Sequence, residues 1–395
     1  MRYADGTPPL AVVRLRPGLA PLWRDARTVQ VGLDPRRALI ATGVIPDPTH
    51  RLCGDAEPGG AQLRAPTEVT KWLEQAGVLD REDQREGQGA GHREGHLEGH
   101  PAESWANLDT AARARFAPEQ AVVGLTHPHP GASDTVLLGR RRARALVIGG
   151  GRVGATVTHL LAASGLGRVT TQNEEIVQAG DACPGGLSAA DVGLRHGAAA
   201  TALAVRALPP ALPAGRPDVV VMAHERPGPY PDATWRELRA GGATLLPVEL
   251  REGTVVVGPM WTAGQAGCPA CVDRHRSDRD PCWPALSAQL ALARNWLAST
   301  AGAVQVWAAA AAAVAELLEF IDGQSLRAAD AGAPPGFAGW SAASGPVTAQ
   351  GYSLELDPPG WSWHRRFWGA HPECSCSPKG PGDDRRGMMG RDQRR

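Results

Sequence analysis

The chain has 395 residues, with 41 basic and 41 acidic side chains, so it is long enough for two or three cores and carries no formal net charge. That balance excludes attraction to nucleic acid or to an anionic membrane surface through bulk electrostatics, and two domains is the working expectation. The opening stretch MRYADGTPPLAVVRLRPG lacks the continuous apolar run of a secretory signal, and four of the seven cysteines fall in two short-spaced pairs; both features predict a cytoplasmic protein that uses thiols for metal rather than for disulfides.

In chain order, the first signal is TVQVGLDPRRALIATG at 28–43, two β-rich runs around Asp34-Pro35, which predicts a hairpin. Residues 46–66 are crowded with Pro and Gly and predict a loop. Thr67 then offers an N-cap to a helix with Val69, Trp72, Leu73 and Ala76 on one face and Gly77 at its end. From 81 to 103 the composition turns to Gly, Glu, Arg and His, with His92, His96 and His100 four apart. Helical spacing would put them on one face, but Gly91, Gly95 and Gly99 oppose a helix, so a solvated linker is expected.

Past the linker, the basic run 140–144 leads into ALVIGGG. A short apolar strand, then Gly149, Gly151 and Gly154 in GxGxxG spacing, then a helical segment from Val153, stand in Rossmann order. Glycines there permit a tight turn and close backbone approach, and the helix N-terminus offers free N–H groups to phosphate. A second strand, 167–172, ends at Asn173, where a dinucleotide-binding protein places an acid for ribose, so a nicotinamide-dependent oxidoreductase is disfavoured. A later strand, 219–222, runs into Ala223-His224-Glu225-Arg226. Helices are expected at 286–296 and 304–321; the alanine-rich run 298–315, interrupted by Gln305, reads as a packed helix rather than a membrane span.

Cys268-Pro-Ala-Cys271 and Cys374-Ser-Cys376 are two close thiol pairs about a hundred residues apart, a donor set suited to tetrahedral zinc that would pin the chain end to the body. Cys282 and His371 are spare ligand candidates, while Cys53 and Cys183 read as small apolar residues. Arg276, Asp280 and Trp283 form a charge-plus-aromatic group expected to pair structurally beside the knuckle.

The segment GGGRVGATVTHLLAASGLGRVTTQNEEIV resembles the nucleotide loop of the ThiF and ubiquitin-activating family, which adenylates a carboxylate. That family's pattern has an aspartate for ribose, then an asparagine, an arginine and a lysine, of which the arginine and lysine neutralise the triphosphate, with a further aspartate for magnesium. In this chain Asn173, Asp181, Pro184 and His196 stand at the first four positions, and only Lys71 and Lys379 are lysines, so ATP and magnesium chemistry is doubtful. Taken with GLSAADVG, GCPACVDRHRSDRDPCWPALSAQL and HPECSC, the chain resembles the precursor leader peptide-binding proteins of ribosomal peptide natural-product pathways.

The resemblance implies an α/β architecture. A small winged-helix-like α+β module at 10–80 would bind a leader peptide through Ala38, Ile40, Thr42, Val69 and Trp72. A linker and connection at 81–136 would lead to a ThiF-like Rossmann-type domain at 137–376 with a structural zinc on Cys268, Cys271, Cys374 and Cys376, and then a tail at 377–395. Gly149, Gly151, Gly154 and Asn173 would form a degenerate nucleotide loop. The implied role is a non-catalytic scaffold presenting a precursor peptide to a YcaO-type cyclodehydratase, as a homodimer. The alternative is a ThiF-type adenylyltransferase in which Glu175 or Asp218 stands in for a missing acid.

Overall fold

A computed structural model of the chain describes residues 10–16, 19, 21–31, 38–46, 62–79, 110–127, 132–224, 241–251, 253–262, 267–292, 301–330, 351–374 and 376. Two compact units divide it, Met1–Gly139 with Ser325–Pro335, and Arg140–Gln324 with Gly336–Arg395.

In the first unit, β1 (Leu10–Arg14), β5 (Ile45–Pro46) and β6 (Gln62–Pro66) form one antiparallel sheet in the order β1-β6-β5. A second sheet, β2-β3-β4, joins Pro21–Trp23, Thr28–Val31 and Leu39–Thr42. The expected hairpin is β3 against β4, with Gln30 opposite Ile40, and its turn lies outside the described residues. The loop expected over 46–66 is corrected at its end: Leu63 and Ala65 of β6 are buried and Gln62, Arg64 and Pro66 are not, a period-2 pattern in a strand of only five residues. Val29, Val31, Ala41, Leu63, Ala65 and Leu73 share one core with Val13 and Leu15.

Helix α1 (Thr67–Gln75) buries Leu73 in that core. Thr67 is its first helical residue and not its cap; Pro66 takes the cap position and, having no side-chain acceptor, makes no capping hydrogen bond. The far end is as expected: Gly77 has φ of +72°, and its N–H bonds Glu74 O while Val78 N–H bonds Leu73 O, a Schellman close that a left-handed residue permits. Within the stretch expected as linker and connection, α2 (Thr110–Thr126) and α3 (Ala132–Arg142) are helices whose Val123, Val136 and Leu137 pack together. The histidine-rich segment and Cys53 lie outside the described residues.

The second unit is built on a seven-stranded mixed sheet, β13-β12-β11-β10-β9-β7-β8. Strands β7 (Arg144–Ile148), β8 (Arg168–Gln172), β9 (Val219–His224) and β10 (Thr244–Arg251) are parallel; β11 (Thr254–Val257), β12 (Tyr352–Asp357) and β13 (Ser362–Phe367) extend the sheet antiparallel. Alternate residues sort to its two faces. Val147, Val219, Val221, Leu246 and Val248 pack with α4 (Arg152–Ala163) and α8 (Ala303–Asp330), whereas Val220, Met222 and Leu245 pack with Trp261 and three cysteines.

By length and composition α8 is apolar enough to cross a membrane. Its Val306, Ala309, Ala310, Ala313, Leu317 and Phe320 are buried in the sheet core, so it is the packed helix expected from the alanine run. Near the base of the sheet, Arg140 is held in a buried two-pronged pair with Asp322, at 2.8 and 2.6 Å, and donates to Ser164 O at 3.2 Å.

Candidate metal centre and glycine loop

The four paired cysteines converge. Cys268 begins α6 (Pro269–Arg279) as its N-cap residue, with Pro269 at the first turn, which places Cys271 one turn on; Cys374 and Cys376 arrive from the segment after β13. A CxxC at a helix start also suits a redox pair, but here the second pair closes the group. Sulfur separations are 3.9 Å for Cys268–Cys271, 3.5 Å for Cys268–Cys374 and 3.2 Å for Cys271–Cys376, and all four lie within 4.8 Å of one another. Tetrahedral zinc, with bonds of about 2.3 Å, spaces its sulfurs about 3.8 Å apart, so the donor set fits in number, type and spacing.

Electrostatics in the group point the same way. Burial pushes the Cys268 thiol far up, and it pushes Cys271 up to about 11 against the N–H of His371, which donates to the Cys271 sulfur at 3.3 Å. Burial also opposes ionisation of Cys376, but hydrogen bonds from the Cys268 N–H and the neighbouring thiols outweigh it and bring that thiol down to about 7. Clustered thiols, two of them pushed up by burial and one brought down by its neighbours, suit a dication, whose field favours the thiolate form.

The spare candidates separate. Cys282 is exposed and outside the group, and Cys183 is buried in the sheet core as a small apolar residue. His371 is not a fifth donor to the sulfurs: its Nε2 pairs with Asp278 Oδ2 at 2.9 Å, its Nδ1 accepts the Glu373 N–H at 3.1 Å, and its own peptide N–H orients Cys271. Of the expected trio, Arg276 does stack on Trp283, the first residue of α7 (Trp283–Leu292), at 4.9 Å, but Asp273 rather than Asp280 is its partner, at 3.4 Å, and also accepts the Trp283 N–H. Asp280 instead accepts the Cys282 N–H. Arg276, Arg279 and Arg366 lie 5.8, 5.0 and 5.9 Å from the ring of the buried Trp368.

No protein family and no curated protein matches the sequence. Solved structures do match.

The chain has the fold of E. coli MccB. MccB solved with AMPCPP and selenomethionine MccA aligns at a TM-score of 0.55 and 14% identity, covering 93% of this chain and 99% of that one. The microcin C7 biosynthetic enzyme MccB in complex with N-formylated MccA aligns at 0.52 and 13%, covering 93% and 100%. Selenomethionine PaaA aligns at 0.51 and 12% over 76% of this chain and 91% of that one. At such identities the likeness is one of fold, and it agrees with the ThiF-like Rossmann-type body expected from sequence.

Within that fold, the glycines of the loop are required by the packing of the chain around them. Gly149, at φ of +110°, faces the Ala223 carbonyl so closely that no side chain fits, and a side chain on Gly154 would overlap the Gly149 carbonyl. A Cβ on Gly150 would meet His196 Cβ at 2.6 Å and Asn173 Cβ at 3.1 Å. Asn173 spends its side-chain oxygen on the Glu175 N–H at 2.7 Å, a local turn. His196, 5% exposed in its side chain, starts α5 (His196–Ala207) and pairs with Asp181 at 2.9 Å and with Glu175 O at 3.1 Å. The four residues at the positions that the resemblance assigns to the nucleotide thus comprise a turn-forming amide, a carboxylate, a proline and an imidazole bound to that carboxylate, the last two in place of the arginine and lysine. They do not fit a triphosphate.

The stand-in acids fare no better. Asp218 precedes β9, and the glycine loop follows β7, a strand parallel to β9, so the two lie at opposite ends of the sheet, separated by roughly 17 Å at about 3.3 Å per residue. Its carboxylate accepts the Arg144 N–H at 2.8 Å, and burial pushes its pKa up.

The peptide-binding candidates fall on two elements of the first unit. Ile40 and Thr42 are exposed on β4, which pairs with β3 alone among the described residues, and Ala38 just precedes it. Trp72 is exposed on α1, and Val69 packs at the edge of the small core. The sequence reading missed Asp181 with His196, and Asp278 with His371. The first pair is 15 residues apart and the second 93, and neither spacing carries a periodic signal.

Proposed function

We propose that this chain is a non-catalytic scaffold that binds the leader of a ribosomally made precursor peptide and presents it to a YcaO-type cyclodehydratase. The observation that carries this reading is β4, an edge strand in a small sheet-rich module, with Ile40 48% exposed along it. An edge strand offers a row of backbone donors and acceptors to which an extended peptide adds as a further strand, so affinity comes from main-chain hydrogen bonds and selectivity from side chains such as Ile40, Thr42 and Trp72. MccB structures with MccA are of the same fold, which supports a peptide ligand.

Zinc is the metal we assign to Cys268, Cys271, Cys374 and Cys376. When bound it supplies cross-linking, not catalysis, since four sulfurs leave no open position for substrate. The chain's own residues do the rest: the His371 N–H fixes Cys271, and the cysteine group packs on Trp261 and Met222 under the sheet. A homodimer through the second unit completes the proposal, and light scattering that returns a monomer mass at micromolar concentration would remove it.

The decisive experiment is calorimetric titration of the purified chain with the leader peptide encoded beside it, with and without ATP and magnesium. Micromolar binding of the leader with no nucleotide heat supports the scaffold. Nucleotide heat without leader binding sinks it in favour of a ThiF-type adenylyltransferase.

A further inference from the structure

His275 and Asp278 lie three residues apart on α6 and therefore on one face of that helix, and His371 meets them from the segment after β13. One donor atom from each lies within 4.8 Å of the other two. The imidazole rings of His275 and His371 stand edge to face with centroids 5.0 Å apart. The chain carries no assigned use for this group: it is separate from the four sulfurs and remote in sequence from the glycine loop.

We propose that His275, Asp278 and His371 form a second metal site, for a divalent transition ion such as zinc, cobalt(II) or nickel(II), beside the four-cysteine centre. Three features of the geometry support it. The His371 Nε2 to Asp278 Oδ2 distance is 2.9 Å, and two ligands at right angles, each about 2.1 Å from a metal, stand about 3.0 Å apart, so the spacing of the two atoms suits an ion once the His371 ring proton is on Nδ1.

His275 is preset as a ligand. Its Nε2 lies 3.0 Å from the Gly369 carbonyl, which can only accept, so Nε2 carries the ring proton and Nδ1 keeps the lone pair a metal needs, the orienting arrangement that metal-bound histidines use. To ligate through Nε2, His371 carries its proton on Nδ1 instead and gives up the Glu373 N–H. The His371 ring is buried, whereas Asp278 is 63% exposed in its side chain, so one side of the site is rigid and the other is open to water as remaining ligand. Finally, a zinc held by four thiolates carries a net charge of about −2, and a cation beside it gains from that field. The His371 N–H on Cys271 ties the two sites into one structure.

Two histidines and one carboxylate with open positions are a donor set for a hydrolytic or oxygen-dependent metal as readily as for a structural one. The proposal here is binding alone.

Cobalt(II) titration of the metal-free full chain tests it, because thiolate ligands give intense charge-transfer absorption and nitrogen or oxygen ligands do not. The expected result is two equivalents bound, with the thiolate bands complete after the first. His275→Ala and Asp278→Asn should each bind one equivalent with the thiolate bands unchanged, which also reports that the knuckle has folded. Asp278→Asn retains an acceptor for the His371 N–H, so it keeps the local hydrogen bond while removing the charge. Saturation of the unaltered chain at one equivalent, or retention of the second equivalent by both variants, overturns the site.

Discussion

The glycine loop and the cysteine knuckle sit in the same unit, and both are announced by a spaced motif, yet the structure treats them in opposite ways. GxGxxG is a motif of missing side chains. Gly149 and Gly154 are required here by the Ala223 and Gly149 carbonyls, so the spacing persists for packing reasons alone, whether or not phosphate ever approaches. CxxC with CxC is a motif of donors, and four sulfurs gathered within 4.8 Å under a sheet have no packing reason to be there. A motif of donors therefore gains support from convergence, while a motif of glycines means nothing without the charges around it.

The largest effect should come from the knuckle. Structural zinc contributes on the order of 10 kcal/mol in small zinc-dependent folds, and here it would hold the chain end beneath Val220, Met222 and Trp261. Chelation, or Cys374→Ser, should abolish the cooperative unfolding transition of the second unit in near-ultraviolet circular dichroism. An unchanged melting temperature after complete metal removal would break the contrast drawn above. Next comes Gly154→Ala, which forces a methyl group onto the Gly149 carbonyl and should cost about 3 kcal/mol in denaturant unfolding. Gly180→Ala is its control: a side chain there meets nothing within 4 Å, so the change should stay within about 0.5 kcal/mol. Equal tolerance at both positions would mean that the loop is open, and the packing account would fail.

How much of this was legible follows the same division. The β3–β4 hairpin, the body from β7 through α4 and β8, the packed alanine helix and all four cysteines could be read because each rests on a local pattern: period 2, a glycine turn between strand and helix, or a close pair of thiols. Strand β6 could not, because QLRAP is short, ends in proline and is secured by pairing with β1, some fifty residues away in the chain. Helix α2 was hidden by Pro118 within it. The replacement of a triphosphate site by the His196–Asp181 pair was half legible: the missing lysine and arginine could be seen, but not that an imidazole would turn inward to a carboxylate across two loops.

That pair supplies the third prediction. His196→Gln removes the imidazole partner of Asp181 in a nearly closed setting and should cost about 1–3 kcal/mol of stability, with no gain in nucleotide binding by calorimetry. A variant that binds ATP would show that His196 had been blocking a working site.

The smallest effect belongs to Asp218, at the other end of the sheet. Burial pushes its carboxyl pKa above the ordinary value of 3.8, against the opposing pull of the Arg144 N–H and guanidinium, so the folded state holds the proton more tightly than the unfolded chain does. Its contribution to stability is therefore fully present below the unfolded pKa and is lost as pH rises through the folded one. Asp218→Asn keeps an acceptor for the Arg144 N–H and has no charge to bury, so its stability relative to the unaltered chain should improve as pH rises from the ordinary carboxyl value of 3.8 through the raised folded one. A relative stability that falls over that range would mean that the ionised carboxylate has a favourable partner there, and would return Asp218 to the list of acids with work to do beyond the fold.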